Sequence, residues 1–270
     1  LAHPEDCSGT TITVLGWQNL PNWQVRIIGY AISHYFPAFS RGKLAVIVDG
    51  KEINQTNFKE YLHDEEFFKT LENQDKRVAD AVEIARWYVK CLDDEQDGLI
   101  KETKQLSPHP GKSKFRLLVA DGAPRNVAII RNNMFICEAR KLEHYWSRIP
   151  GDIQDFTGIY ECSNSTGIEL LRAMEPSAHD AIKEDYLPNR DREKGGKALK
   201  KLANSLKDFI RKHARIPIED EGSEVKWMKD FFDDPAGDGA DFDPTEDIDP
   251  SGVFLITPRP RSVPPTPPLF

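Results

Sequence analysis

The sequence predicts an α+β fold in which helices pack on a mixed sheet. Three observations carry that prediction. Apolar runs of strand length, including LAVIV, KFRLLVA, NVAIIR and MFICE, are rich in β-branched residues and separated by turn signals. Residues 23–39 and 76–92 repeat apolar side chains at spacings of three and four, as amphipathic helices do. Strands and helices are interspersed along the chain, and hairpin-like turns join some of the strands.

Taken in order, TTITV at residues 10–14 is a β-branched run and predicts a strand. The helix over 23–39 places Trp23, Ile27, Ile28, Ala31 and Tyr35 on one side. Gly42 breaks it, and KLAVIVDGK predicts a strand running into a turn at Asp49–Gly50. The helix over 76–92 carries Val78, Val82, Ala85 and Val89 on one face. Pro108, Pro110 and Gly111 mark a loop. KFRLLVA, the turn DGAPR and NVAIIR then predict a hairpin, continued by MFICE, and DFTGIYEC predicts another strand. NSTGIELLRAMEP is loop-like, and a helix is expected to start at residues 177–181 with Asp180 in its first turn. The clearest helix covers 198–213, where Leu199, Leu202, Leu206, Phe209, Ile210 and His213 share a face. There is no internal repeat.

A chain of 270 residues with 39% hydrophobic and 30% charged residues fits a soluble globular protein with a polar extension. No apolar run approaches the roughly 18 residues that span a bilayer, so membrane insertion is not expected. Cys7, Cys91, Cys137 and Cys162 are too far apart for a zinc ribbon. They read as reduced, partly buried thiols and point to a cytoplasmic address. The first residue is Leu1, which predicts that something preceding it was removed. Residues 215–270 hold five basic and thirteen acidic residues, a balance equal to the whole net charge of −8. The same stretch is Pro-rich and ends RPRSVPPTPPLF. Such a composition buries too little apolar surface to offset chain entropy, so 218–270 is expected to be a largely disordered tail. Residues 225–232, with Trp227 and Phe231, are the expected exception and could dock as a short helix.

Two segments resemble a known family. CSGTTITVLGW, a helix containing Trp23 and then YFPAFSRGKLAVIVDGKEI look like the junction in GHKL-type ATPases, the superfamily of DNA gyrase B, MutL and the ninety-kilodalton heat-shock chaperone. RNNMFICEARKLEHYWSRIPGDIQDFTGIYECSNSTGIELLRAMEPSAHDAIKEDYLP is similar to the C-terminal region of bacterial ATP-binding proteins with GHKL domains. The resemblance covers roughly residues 5–215. It implies that 1–16 are the last strand or strands of a truncated ATP-binding domain. Residues 17–217 would form a transducer domain with a ribosomal-protein-like fold, ending in a basic amphipathic helix. The family's Asn-bearing helix and Gly-rich lid are not in this sequence. ATP and Mg2+ are therefore expected in the parent protein, and this chain alone is expected to bind neither and to be inactive. The implied partner is the upstream ATP-binding half, with a homodimer as a further expectation.

The resemblance puts a nucleotide-binding role on Gly9, Thr10 and Thr11, with the Thr10 hydroxyl at the adenine edge. Thr10 and Thr11 are also ordinary strand formers. It makes Arg172 the candidate γ-phosphate sensor, a cation placed where phosphoryl charge develops. The plain alternative for Arg172 is an ion pair with Glu169 or Glu175. Lys112 and Lys114, in HPGKSKF, are the rival sensors. Glu175, His179 and Asp180 could imitate an acid-base or metal cluster, although adjacent residues on a helix diverge. Ten cations between Arg190 and Arg215 face only Asp191, Glu193 and Asp208 in that stretch. They could track nucleic-acid phosphates or form a solvated helix face. The alternative to the ATPase reading is a non-enzymatic scaffold that binds partners through this helix and the Pro-rich tail.

Overall fold

The structure, a computed structural model, describes residues 20–146, 149 and 151–216. The TTITV strand, Gly9, Thr10, Thr11, Cys7, the acidic tail and the 225–232 segment all lie outside the described residues. The chain divides into a unit ending at Pro217 and a second one, Ile218–Phe270. Every described element belongs to the first unit.

The fold is α+β: a five-stranded mixed sheet with helices packed on both faces. The chain enters through α1 (Trp23–Ser40). It then makes a small hairpin of β1 (Val46–Val48) and β2 (Lys51–Ile53). Asp49 and Gly50 take φ of 50° and 78°, the left-handed pair that a two-residue hairpin turn requires. Three helices follow: α2 (Phe58–Tyr61), α3 (Glu65–Gln74) and α4 (Lys76–Leu92). The Asp64 carboxylate caps α3, accepting from the Glu66 and Phe67 amides at 2.9 and 3.0 Å. Helix α4 has the bounds its apolar periodicity predicts, and Val78, Val82, Ala85 and Val89 are all buried.

Strands β3 (Leu99–Leu106), β4 (Gly111–Val119), β5 (Asn126–Arg131), β6 (Met134–Glu138) and β7 (Phe156–Cys162) form the sheet in the order β3-β4-β7-β5-β6. The described part of the chain closes with α5 (Ser165–Ala173) and α6 (Asn189–Ala214). Helices α1 and α4 cover one face, where Ile32, Phe36, Val82 and Tyr88 meet Leu118, Ala128, Ile130 and Ile159. Helices α5 and α6 cover the other, where Leu170, Leu202, Leu206 and Phe209 meet Phe115, Leu117, Val127, Ile129 and Tyr160. Gly29 is where α1 crosses α4. A Cβ there would stand 2.9 Å from Val78 Cγ1 and 3.0 Å from a Leu71 methyl, so the close approach needs glycine.

Five sequence expectations need correcting. Helix α1 forms, but the face it packs against α4 and the sheet is Ile28, Ile32, Phe36 and Phe39, and Ile27 and Tyr35 of the expected face are exposed. The predicted β4–β5 hairpin does not form, because β7 lies between the two, antiparallel to β4 and parallel to β5. The reason is burial. β5 is buried at every position and β7 at all but Glu161, so both need neighbours and helical cover on either side. Instead β4 pairs with β3, and β5 forms a hairpin with β6 through Asn132 and Asn133, at φ of 49° and 64°. The loop-like 163–175 segment contains α5. The helix expected at 177–181 is absent: residues 176–183 run as turns and extended chain, with His179 at φ 50°. Finally, α6 starts at Asn189, ahead of the expected 198, and its Gly195–Gly196 pair is helical. Packing compensates, since Leu187 and Met174 sit so close to Gly195 that a Cβ would clash.

Edge strand β3 is held to the end of α6. Glu102 accepts from Lys212 Nζ at 2.6 Å, lies 3.0 Å from His213 Nε2 and pairs with Lys104 at 2.9 Å. Hydrogen bonds from Lys212, His213 and Lys104 lower its pKa from an ordinary 4.5 to about 2. A depressed carboxylate pKa contributes stability above the unfolded value and loses it as pH falls through the folded one. Unfolding followed by circular dichroism should therefore show stability falling between pH 4.5 and about 2. Glu102→Gln should flatten that limb while leaving the rest of the acid profile in place. An unchanged limb in the variant would mean that other carboxylates control it.

Candidate functional site

Two arginine–glutamate pairs stand at one end of the sheet, where the parallel strands β5 and β7 reach their carboxyl termini. In open α/β sheets that end is where ligands bind, because the chain leaves the sheet there in loops. Arg131 is the last residue of β5, and Glu161 lies across from Ile130 on β7. Side chains alternate across a strand, so the two project to opposite faces.

On the α6 side, the Arg131 guanidinium grips Glu175 through both arms. Nε donates to Oε1, and Nη2 donates to Oε2 at 2.6 Å. The Glu175 carboxylate is 0% exposed and the Arg131 side chain 7%. His179 Nδ1 lies 2.8 Å from the same Oε2. On the α1 side, Arg41 makes a second two-armed pair, donating to Glu161 at 2.7 and 2.8 Å and also to Asn133 Oδ1. Two bidentate arginine–glutamate clamps thus close the two faces at the end where the apolar core stops.

Of the residues expected from sequence, Glu175 and His179 do meet, with Arg131 as the third member. Both Glu175 oxygens are engaged, so this carboxylate orients the turn and is not free for acid-base work. Asp180 does not join it: its side chain is exposed, and its backbone carbonyl accepts from Lys141 Nζ at 3.2 Å. Arg172 sits in the last turn of α5, exposed, three residues before the Glu175 clamp. Neither Glu169 nor Glu175 pairs with it, and among the described residues it has no ion-pair partner. Lys112 and Lys114 stand on β4 rather than in a loop, exposed on the α1 face. They therefore flank Glu161, which lies opposite Lys114 in the register. Leu170 and Leu171 seat α5 in the other core, so Arg172 and the two lysines form no common cluster.

Arg41, Arg131 and Glu161 were missed in the sequence. Their signal is a charge interrupting or ending an apolar run, as in NVAIIR and IYEC, but it acquires meaning only once strand neighbours are known. No group of three His, Cys, Asp or Glu side chains could hold a metal ion among the described residues. Cys91, Cys137 and Cys162 are free and buried. Burial pushes the thiols of Cys91 and Cys137 up to about 12 and raises that of Cys162, which suits packing and not nucleophilic chemistry. Among the described residues, no helix is long and apolar enough to cross a membrane. Comparison with known proteins adds no relative: no family model, curated protein or solved structure matches this chain.

Removing one member of a buried pair leaves the other charged without compensation, which costs about 3–5 kcal/mol. Arg131→Met should therefore destabilise the protein by that amount in urea unfolding. The double variant Arg131→Met/Glu175→Leu should recover most of the loss, to within about 1–2 kcal/mol of the parent, because no charge is then stranded. If the double variant is as unstable as the single, the pair serves a packing role that neither charge explains.

Proposed function

We propose that this chain is the transducer part of a GHKL-type ATPase, which senses ATP bound by an upstream domain and relays domain closure to a partner. The observation that carries this reading is Arg172. It is an exposed cation without an acidic partner among the described residues, on a helix whose exit is pinned by the Arg131–Glu175 clamp. A cation on a pinned backbone needs to order only its side chain when an anion arrives, which suits a phosphate sensor. The GHKL-like order of GTT, helix, GKL strand, RNNMFI and LLRAMEP supports the same reading. Gly9, Thr10 and Thr11 would complete the adenine side of the nucleotide site. ATP and Mg2+ belong, in this reading, to the upstream half. Closure would bring two copies together as a homodimer, in the cytoplasm.

The test joins this chain to its ATP-binding half. Arg172→Ala should lower kcat about a hundredfold or more, the usual effect of losing one such charged stabiliser. Affinity for ADP, which lacks the γ-phosphate, should stay within about twofold. Lys112→Ala and Lys114→Ala should be mild. A rate that survives Arg172→Ala but collapses with either lysine would move the sensor to β4. Three mild variants would remove the mechanistic support for the transducer reading in favour of a binding scaffold.

A further inference from the structure

We propose that the cleft between residues 107–109 and the first half of α6 binds the phosphodiester backbone of a single-stranded nucleic acid. Arg190, Lys194, Lys197 and Lys201 recur at spacings of four, three and four, so they form one stripe along α6. At 1.5 Å per residue the stripe is about 16 Å long. With Ser107, Pro108 and His109 as the opposing wall, it lines a cleft of about 440 Å³ in which Glu193 is the one carboxylate among the described residues.

The two halves of α6 are both basic but differ in what they face. At the C-terminal end Lys212 and His213 meet Glu102, and Arg215, just past the helix, meets Asp152; Lys207 donates to the Tyr145 carbonyl, and Arg211 has no acidic partner among the described residues. In the N-terminal half the partners lie close by in the chain, with Arg192 reaching back to Asp185 ahead of the helix at 3.8 Å. Arg190 lies near Asp191 at 3.3 Å, and Lys197 near Glu193 at 2.6 Å. Lys194, Lys200 and Lys201 have no acidic partner among the described residues. Helix packing does not call for this arrangement, because the core face is already filled by Leu199, Leu202 and Leu206.

A second observation comes from the opposite wall. His109 Nδ1 is enclosed and has no hydrogen-bond partner. Burial, and after it the Lys194 charge, push the imidazole pKa down. An anion seated in the cleft would meet a row of cations, while the enclosed His109 nitrogen marks an unsatisfied polar group in the wall beside it. The walled shape favours one strand over a duplex, whose convex cylinder would ride on the rim. Binding of this kind rests on counterion release and is independent of base sequence.

The experiment is fluorescence anisotropy with a labelled single-stranded DNA of about 20 nucleotides and the full chain. A dissociation constant on the order of 10–100 μM is expected at low salt, weakening steeply with salt. Lys194→Glu/Lys201→Glu should weaken binding at least about tenfold and flatten the logarithmic salt dependence by roughly 1.4, at about 0.7 per lost contact. Lys51→Glu/Lys69→Glu makes the same change in net charge at exposed positions on β2 and α3 and should stay within about twofold. Circular dichroism must show all variants folded, which exposed positions allow. Equal weakening by both pairs would reduce the effect to net charge and overturn the proposal. So would absence of binding by the parent chain, or lysine-dependent binding to phosphatidylserine vesicles without binding to DNA.

Discussion

Strands β5 and β7 run parallel, side by side, and bury almost every side chain on both faces. No other part of the fold is free of that constraint. A strand exposed on one side can alternate apolar and polar residues, but these two cannot, so helices must cover the sheet twice. The chain supplies α1 and α4 for one face before the sheet is built, and α5 and α6 for the other after it. Charged β3 and short, bulged β6 are left as the edges, where Lys101, Glu102 and Lys104 blunt further pairing.

The same burial explains where the charges go. At the carboxyl ends of β5 and β7 the core stops, and Arg131 and Glu161 each find a bidentate partner on their own face. Clamps of this type add little net stability compared with apolar residues of the same volume, but they are unforgiving of one missing partner. Their value is geometric, since they fix the chain that leaves the sheet. The backbone at Arg172 precedes one such clamp, and its side chain is exposed and not consumed by an ion pair among the described residues.

Local pattern was readable where local pattern decides the outcome. Helix α4 follows from its valines and the β1–β2 turn from Asp49–Gly50, whereas α1 was readable as a helix but not in its buried face, which runs through Ile28, Ile32, Phe36 and Phe39. The final helix face from Leu199 to Ile210 is also buried as its periodicity requires. Edge strand β3 was not readable, because LIKETKQL trades apolar residues for charges that protect an edge. Helix α5 was hidden by a Ser-Thr-Gly start, and the first turns of α6 by a glycine pair that packing tolerates. The β4–β5 error has another cause. Nothing between residues 111 and 131 announces that a strand from 156–162 will come between them. The site suffered most from this, since Arg41–Glu161 and Arg131–Glu175 join residues 120 and 44 positions apart.

That late insertion has a bearing on how the molecule is made. Consecutive strands β4 and β5 have no partner in each other, and β7 is synthesised well after β5 ends. Until it arrives, the sheet is two separate ribbons, β3–β4 and β5–β6, each with an apolar unpaired flank. Pairing that closes such long loops is slow compared with forming helices or hairpins. The interval is also when open strand edges are most prone to join the wrong partner. A chain cut anywhere between β6 and residue 156 is left with two sticky ribbons in place of a smaller sheet, so the fold tolerates deletion at this point far less than its size implies.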